Sequence, residues 1–149
     1  MIRKAILKDA KEIQKLVKAY SARGDILPRS LGDLYDHLRD FFVYARNRKV
    51  VAICALHICW EDLAEIRTLV VQEEDRRKGI GLKLVNACLK ESRGLGVKRV
   101  FALTYQPEFF KKFGFKIVDK SVLPHKIWAE CLRCVKFPDC DEIAMVKEL

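Results

Sequence analysis

Hydrophobic and polar positions along this chain fall into stretches of two different periods. Residues 2–7 read as a first strand. Ile13, Leu16, Val17 and Tyr20 recur at helical spacing and predict a helix over 10–20. Asp9 with Glu12 three residues later makes a capping-box-like start for it. Arg23-Gly24-Asp25 breaks this helix, and Pro28 biases Leu27 away from the helical region. Ser30 with Asp33 restarts a helix whose apolar face carries Leu31, Leu34 and Leu38. Residues 41–45 and 50–58 predict two strands, joined into a hairpin by Arg46-Asn47-Arg48-Lys49. A β-branched strand follows over 64–71 and a helix over 80–92, which Gly94 and Gly96 end. Then come a strand over 97–104, a short helix over 107–112, a strand beginning at 115–118 and a final strand over 142–147. Residues 119–140 show no clean period. The order predicts a mixed α/β sheet flanked by helices, with no linker or repeat.

The stretch 65–81 organises this pattern. The strand Glu65-Ile66-Arg67-Thr68-Leu69-Val70-Val71 ends in a polar turn, Gln72-Glu73-Glu74-Asp75. Arg76-Arg77-Lys78-Gly79-Ile80-Gly81 then opens a helix. Backbone N–H groups at a helix N-terminus lack internal partners and carry partial positive charge. Gly79 and Gly81 allow that backbone to approach a ligand closely, so the loop suits phosphate oxygens. It is neither a Walker A loop nor the G-x-G-x-x-G of dinucleotide folds.

Composition narrows the class. The chain has 149 residues, half of them hydrophobic and a third charged, which predicts one soluble domain over 1–149 with a real core. No apolar run is long enough to span a membrane, and Met1-Ile2-Arg3-Lys4 does not resemble a signal peptide, so a cytoplasmic protein is expected. The net charge is +9, but acids interrupt the basic residues and no nucleic-acid motif occurs. The excess fits a solvated surface, or attraction of a polyanion and an acidic substrate. No nucleic acid and no membrane are expected as partners. The six cysteines predict reduced thiols or a metal site rather than a disulfide framework.

Arg76, Gly79 and Gly81 meet the pattern Arg/Gln-x-x-Gly-x-Gly/Ala. With an acidic residue on the preceding strand and Phe113-Gly114-Phe115 about one βα unit later, the chain resembles the GNAT superfamily of N-acetyltransferases. The resemblance implies a single, mostly antiparallel sheet with splayed central strands and a bulge in the fourth. It implies acetyl-CoA as co-substrate. Arg76, Arg77, Lys78, Gly79, Ile80 and Gly81 would hold its pyrophosphate, and the backbone of Leu69, Val70 and Val71 its pantetheine arm. Glu65 takes the position of the general base. The superfamily often places an acidic tyrosine four residues before the glycine of its Gly-Phe pair. That position is Phe110, which would line the cofactor but has no proton to give. Tyr105 could substitute as acid or be structural, or thiolate could leave without an enzyme acid.

Three stretches bear on the acceptor. They are Ile26-Leu27-Pro28-Arg29-Ser30, the pair Glu65 and Arg67 on one strand face, and a tail running from Leu123-Pro124-His125-Lys126-Ile127-Trp128 through Cys131-x-x-Cys134 to Met145. Together they resemble the acetyltransferase domain of short bacterial N-acetylglutamate synthases, which begin arginine biosynthesis. That resemblance implies L-glutamate as the small-molecule acceptor. Arg29, Arg67 and Lys126 offer three cations that could converge on its two carboxylates, with a hydrogen bond from Ser30; the other reading of Arg29 and Lys126 is surface charge. Guanidinium is suited to such a substrate because it binds a carboxylate bidentately. Ser30 also reads as a helix N-cap. Competing readings are a GNAT enzyme for another amino acid, a polyamine or a protein amine, and a non-catalytic CoA-binding module. Long synthases carry a kinase-like domain for which 149 residues leave no room, so regulation by arginine is expected to come from a partner, from a local site or not at all. A homodimer or a regulatory partner is compatible with the resemblance. No metal is expected. Zinc at Cys131, Cys134 and Cys140, with His125 or Asp141, is the alternative to reduced thiols. Cys54, Cys59 and Cys88 read as core, and His37 and His57 as structural.

Overall fold

The computed structural model of the chain describes residues 1–24, 26–124 and 141–149. Ile2–Lys4 (β1), Phe41–Arg46 (β2), Lys49–Trp60 (β3), Leu63–Val71 (β4), Arg99–Thr104 (β5), Lys116–Val118 (β6) and Ile143–Glu148 (β7) are its strands. They join in one sheet of order β1-β2-β3-β4-β5-β7-β6. Among the described residues only the β4–β5 pairing is parallel. The helices are Ala10–Ser21 (α1), Leu31–Asp36 (α2), Ile80–Leu95 (α3) and Pro107–Lys111 (α4).

Each face of the sheet is covered by helices whose apolar stripes follow the predicted spacing. On one face Leu84, Val85, Cys88 and Leu89 of α3 pack on Ala52, Cys54, Leu56 and Ile66. On the other, Ile13, Val17 and Tyr20 of α1 and Leu34 of α2 pack on Val43, Ile53, Ala55 and Val70. β3 is therefore buried on both sides, which accounts for its unbroken apolar run from Val50 to Leu56. Asn47 and Arg48 take positive φ of 52° and 64°, the backbone that a two-residue hairpin turn requires. Cys54, Cys59 and Cys88 are buried and reduced, as expected of core positions.

Two departures from regular pairing shape the middle of the sheet. In the β3–β4 ladder Ile53 faces Val70 and Ala55 faces Arg67, so two steps on β3 meet three on β4. The extra residue is accommodated at Thr68, whose φ is +56°. This bulge reverses the alternation of β4. Val70 packs toward α1, whereas Leu69 and Val71 pack toward α3. The β4–β5 ladder stops after three pairs, Leu63 with Arg99, Ala64 with Val100 and Glu65 with Phe101. Beyond Glu65 the two strands part.

Some boundaries differ from the sequence expectation for local reasons. β1 ends at Lys4, and Asp9 does not cap α1. Its carboxylate instead accepts from Arg3 at 2.6 and 3.0 Å and from the Ile6 N–H at 2.8 Å. Gly94 lies inside α3, and Gly96 at φ +84° ends the helix. α2 stops at Asp36, and Leu38 falls in a following 3-10 turn, Leu38–Asp40. Of the aperiodic stretch 119–140, a 3-10 turn, Lys120–Val122, is described, capped by Asp119. Among the described residues no helix is long and apolar enough to cross a membrane.

Asp9 is 1% exposed. Burial works against its ionisation, but the hydrogen bonds from Arg3 and Ile6 and the charges of Arg3 and Lys8 outweigh it and hold its carboxyl below the usual range. A carboxyl depressed in the folded state stabilises fully above its unfolded pKa, about 3.9. That contribution is lost as pH falls through the lower folded value. Arg3→Ala should cost about 1.5–3 kcal/mol at neutral pH, and the deficit should shrink below about pH 4. Urea unfolding across pH measures both, and a deficit that is constant with pH would assign the loss to packing.

Candidate active site

From the end of β4 the chain makes a 3-10 turn, Glu73–Asp75, and enters the glycine-bearing loop. Arg77 and Gly79 take φ of +65° and +77°, and Gly79 is the N-cap of α3. The Lys83 N–H donates to the Gly79 carbonyl at 3.1 Å. The N–H groups of Ile80, Gly81 and Leu82 precede this bond and have no carbonyl of their own helix to reach. They sit at the positive end of a helix of 16 residues. A Cβ on Gly81 would lie 3.4 and 3.5 Å from the Phe109 ring and 3.8 Å from a Val71 methyl. Glycine thus lets strand end, helix start and α4 close together beside those donors. This cradle fits a pyrophosphate.

The three loop cations divide their work. Arg76 donates from Nε to the Val71 carbonyl at 3.1 Å and lies 5.3 Å over the Tyr20 ring. Lys78 Nζ is 3.4 Å from Asp75, a fully buried carboxylate that also takes Arg46 at 3.0 Å and Gln72 at 3.3 Å. Both side chains tie the loop to its neighbours. Arg77 is exposed, as they are. Backbone therefore supplies the cradle, with Arg77 the cation most available to assist it.

Next to this loop lies the opening between β4 and β5. Leu69 and Val71 are half-buried against the α3 core, and Val70 is buried on the other face. Their backbone lies past the last β5 pair, so the β4 edge facing β5 is left without a strand partner among the described residues. Phe110 is 5% exposed and packs edge to face with Phe109 and Phe115, centroids 5.2 and 5.3 Å apart. The α4 aromatic that reaches the loop is Phe109, at Gly81. The tandem Phe109-Phe110 signalled an aromatic here, but only the helix phase decides which ring faces which way. Tyr105 follows β5, and its hydroxyl donates to Asp141 at 2.6 Å.

On the far side of the bulge Glu65 is 7% exposed and pairs with His57 on β3 and Phe101 on β5. Arg67, two residues on, brings Nη1 to 3.6 Å from the Glu65 carboxylate. Arg29 arrives from the α1–α2 connection. Its Nε donates to Asp33 at 2.6 Å, its Nη1 to the Thr68 hydroxyl at 3.4 Å, and its guanidinium lies 5.3 Å over Phe41. Ser30 caps α2 by accepting the Asp33 N–H at 3.0 Å. Burial works against the Asp33 charge, but the Arg29 hydrogen bond and the charges of Arg29, His37 and Arg67 prevail and hold its carboxyl below the usual range.

Glu65, Arg67 and Arg29 are thus brought together around the bulge, with Ser30 next to Arg29. Lys126, and with it Cys131, Cys134 and Cys140, lies outside the described residues. Among the described residues no cluster of three His, Cys, Asp or Glu side chains could hold a metal ion. Sequence reasoning missed the parts of Thr68 and Asp33 here, and it read His37 and His57 as structural without naming partners for them. The structure pairs His37 with Asp33 at 3.1 Å and His57 with Asp40 at 2.8 Å, the two rings 5.4 Å apart. The i, i+4 spacing of Asp33 and His37 was the available signal; His57 to Asp40 had none.

Comparison with known proteins agrees with this geometry. The acetyltransferase (GNAT) family matches residues 7–115. An uncharacterised N-acetyltransferase of Chlorobaculum tepidum is 43% identical over 148 residues, covering 99% of this chain and 96% of the relative. An amino-acid acetyltransferase of Mycobacterium tuberculosis is 34% identical over 136 residues, covering 89% and 78%. Among solved structures, N-acetylglutamate synthase from Neisseria gonorrhoeae, complexed with coenzyme A and N-acetyl-glutamate, aligns with a TM-score of 0.91 at 25% identity. The alignment covers all of this chain and 35% of that one.

Gly79→Asp puts a carboxylate at the cradle and strains a left-handed N-cap by about 1–2 kcal/mol, too little to unfold a domain of this size. CoA binding should be lost in calorimetric titration while the circular dichroism spectrum is kept. Parent-like CoA affinity in this variant would remove the loop from the cofactor site.

Proposed function

The chain belongs to the GNAT acetyltransferase family, and on that footing we propose that it transfers the acetyl group of acetyl-CoA to the α-amine of L-glutamate, the first step of arginine biosynthesis. It is an acetyl-CoA-dependent N-acetyltransferase; the acceptor is the part proposed. The observation that carries the proposal is the meeting of two guanidiniums from separate segments, Arg29 and Arg67, beside Glu65. A dicarboxylate with a reacting amine needs two cations and one base within a few ångströms of one another. An aliphatic polyamine needs the opposite balance. Two comparisons lend support, the relative named an amino-acid acetyltransferase and the synthase complexed with N-acetyl-glutamate.

In this reading Arg67 grips the α-carboxylate and so turns the amine toward Glu65, its neighbour on the strand face. Glu65 takes a proton from the ammonium, directly or through water, and the neutral amine attacks the thioester carbonyl. Backbone N–H groups of β4 on the open side of the bulge receive the charge that develops on the carbonyl oxygen. Arg29 or Lys126 meets the second carboxylate. The departing sulfur takes a proton from solvent or from Tyr105, whose hydroxyl is hydrogen-bonded to Asp141. Holding both substrates in line contributes alongside these groups.

Glu65→Gln should lower kcat by about 10²–10⁴-fold with little change in either KM. The loss should shrink at high pH, where more of the acceptor amine is already neutral. Full activity at neutral pH would make Glu65 structural. Arg67→Ala should raise the KM for glutamate strongly while acetyl-CoA binding stays near normal. Breaking a desolvated charge pair costs roughly 2–5 kcal/mol, much of it from stranding the partner. Glutamine, which keeps the α-carboxylate but lacks the second charge, should be the poorer substrate. Steady-state kinetics on the two acceptors checks both, and an unchanged glutamate KM in Arg67→Ala would take that residue out of the acceptor site.

A further inference from the structure

The face of the sheet that carries Glu65 also carries an imidazole for which the chemistry above has no use. His57 on β3 is the direct cross-strand partner of Glu65. Directly opposed residues of an antiparallel pair have their Cβ atoms about 5 Å apart, on the same face. His57 is 19% exposed, and its Nδ1 lies 2.8 Å from the Asp40 carboxylate, itself 25% exposed. An ionised carboxylate only accepts hydrogen bonds. Nδ1 of His57 therefore carries its hydrogen whether the ring is neutral or charged, and the one lone pair that can take a proton is on Nε2. His37 is held in the same sense, with Nδ1 3.0 Å from the Asp33 carbonyl oxygen and 3.1 Å from its carboxylate. The two rings meet edge to face at 5.4 Å. Among the described residues, Asp40 and His37 from the α2 side and Glu65 with Arg67 from β4 stand around His57, with Arg29 joined to them through Asp33.

Acetylation converts an ammonium and a thioester into an amide, a thiol and one proton. The nitrogen gives up two protons, the sulfur takes one, and the other has to leave the site. Glu65 receives a proton but is itself 7% exposed, and it must be ionised again before the next turnover. We propose that His57, with its tautomer set by Asp40, takes this proton from Glu65 at Nε2 and passes it to solvent. The O–H bond of the Glu65 carboxyl breaks, an N–H bond forms at Nε2, and that bond breaks in turn to water while Nδ1–H stays with Asp40. His57 is on this account a positioning residue that acts through Glu65. The proposal rests on Glu65 as the base.

The test uses the full chain with an amine that the parent turns over. His57→Gln should lower kcat about 10–100-fold with both KM values within about twofold of the parent. His57→Ala should be as slow and regain rate when imidazole is added at millimolar concentration, which a purely structural loss would not do. Because His57 works through Glu65, the double variant with Glu65→Gln should be no slower than Glu65→Gln alone. Independently of any acceptor, the chain has three histidines, so nitrogen-15 imidazole spectra resolve each ring. The neutral His57 ring should carry its hydrogen on Nδ1, and Asp40→Asn should release it to a mixture of tautomers. A neutral ring protonated on Nε2 overturns the proposal. So does a His57→Gln variant with parent kcat beside a slow Glu65→Gln, which would leave the base in place and send its proton straight to water. Parent activity in Glu65→Gln would remove the base, and the relay with it.

Discussion

Between Arg67 and Val70, β4 uses one residue more than the β3 segment it pairs with, and Thr68 takes a left-handed backbone to make room. For a β-branched residue that conformation costs about 1–2 kcal/mol. The surroundings hold it in place. Ile53 and Val70 are buried on the α1 side, Leu69 and Val71 lie against the α3 side, and Arg29 reaches the Thr68 hydroxyl. With a regular strand, Arg67 and Leu69 would share one face and Val70 the other. The bulge lets Arg67 stand beside Glu65 on the face toward α1 and α2 while Leu69 and Val71 still present apolar side chains to α3.

The second constraint is the parting of β4 from β5. The parallel ladder lasts only as far as Glu65, so the base candidate stands where the strands separate. From that point β4 leads directly into the loop that opens α3. One continuous stretch of chain therefore presents, in order, a carboxylate, a guanidinium, an exposed backbone edge and a helix N-terminus. In the function proposed above, the base, the donors to the thioester carbonyl and the pyrophosphate cradle follow one another in this order. Asp75 is fully buried beneath the loop and is bound by Arg46, Gln72 and Lys78, which gives the turn a fixed floor. The excess of basic residues favours encounter with phosphates and carboxylates alike.

Much of this was legible before any coordinates. The change from period two to period 3.6 across 65–89, with two glycines between, marked the strand, the loop and the helix, and all three are present. Arg67 and Glu65 could be placed on one face from strand parity alone. The bulge was expected only from family resemblance, because its left-handed residue is Thr68 and not a glycine that would advertise it. Asp9 misled because a cap is a local preference, and Arg3 six residues earlier offered its carboxylate a stronger, charged partner. The contacts of His57 were invisible for a related reason. They join α2 and the turn after it to β3, and no spacing in the chain encodes a meeting of separate segments.

In the proposed function, two cations and a base on one side of the β4 bulge select an acidic amino acid. Free-thiol release from acetyl-CoA, followed for the purified protein against a panel of L-amino acids, an aliphatic polyamine and a short peptide, tests it most directly. The highest kcat/KM is expected for glutamate, with glutamine weaker and the polyamine and peptide inert. Turnover of the polyamine or the peptide, with none for glutamate at millimolar concentration, would contradict it and leave only the family assignment standing.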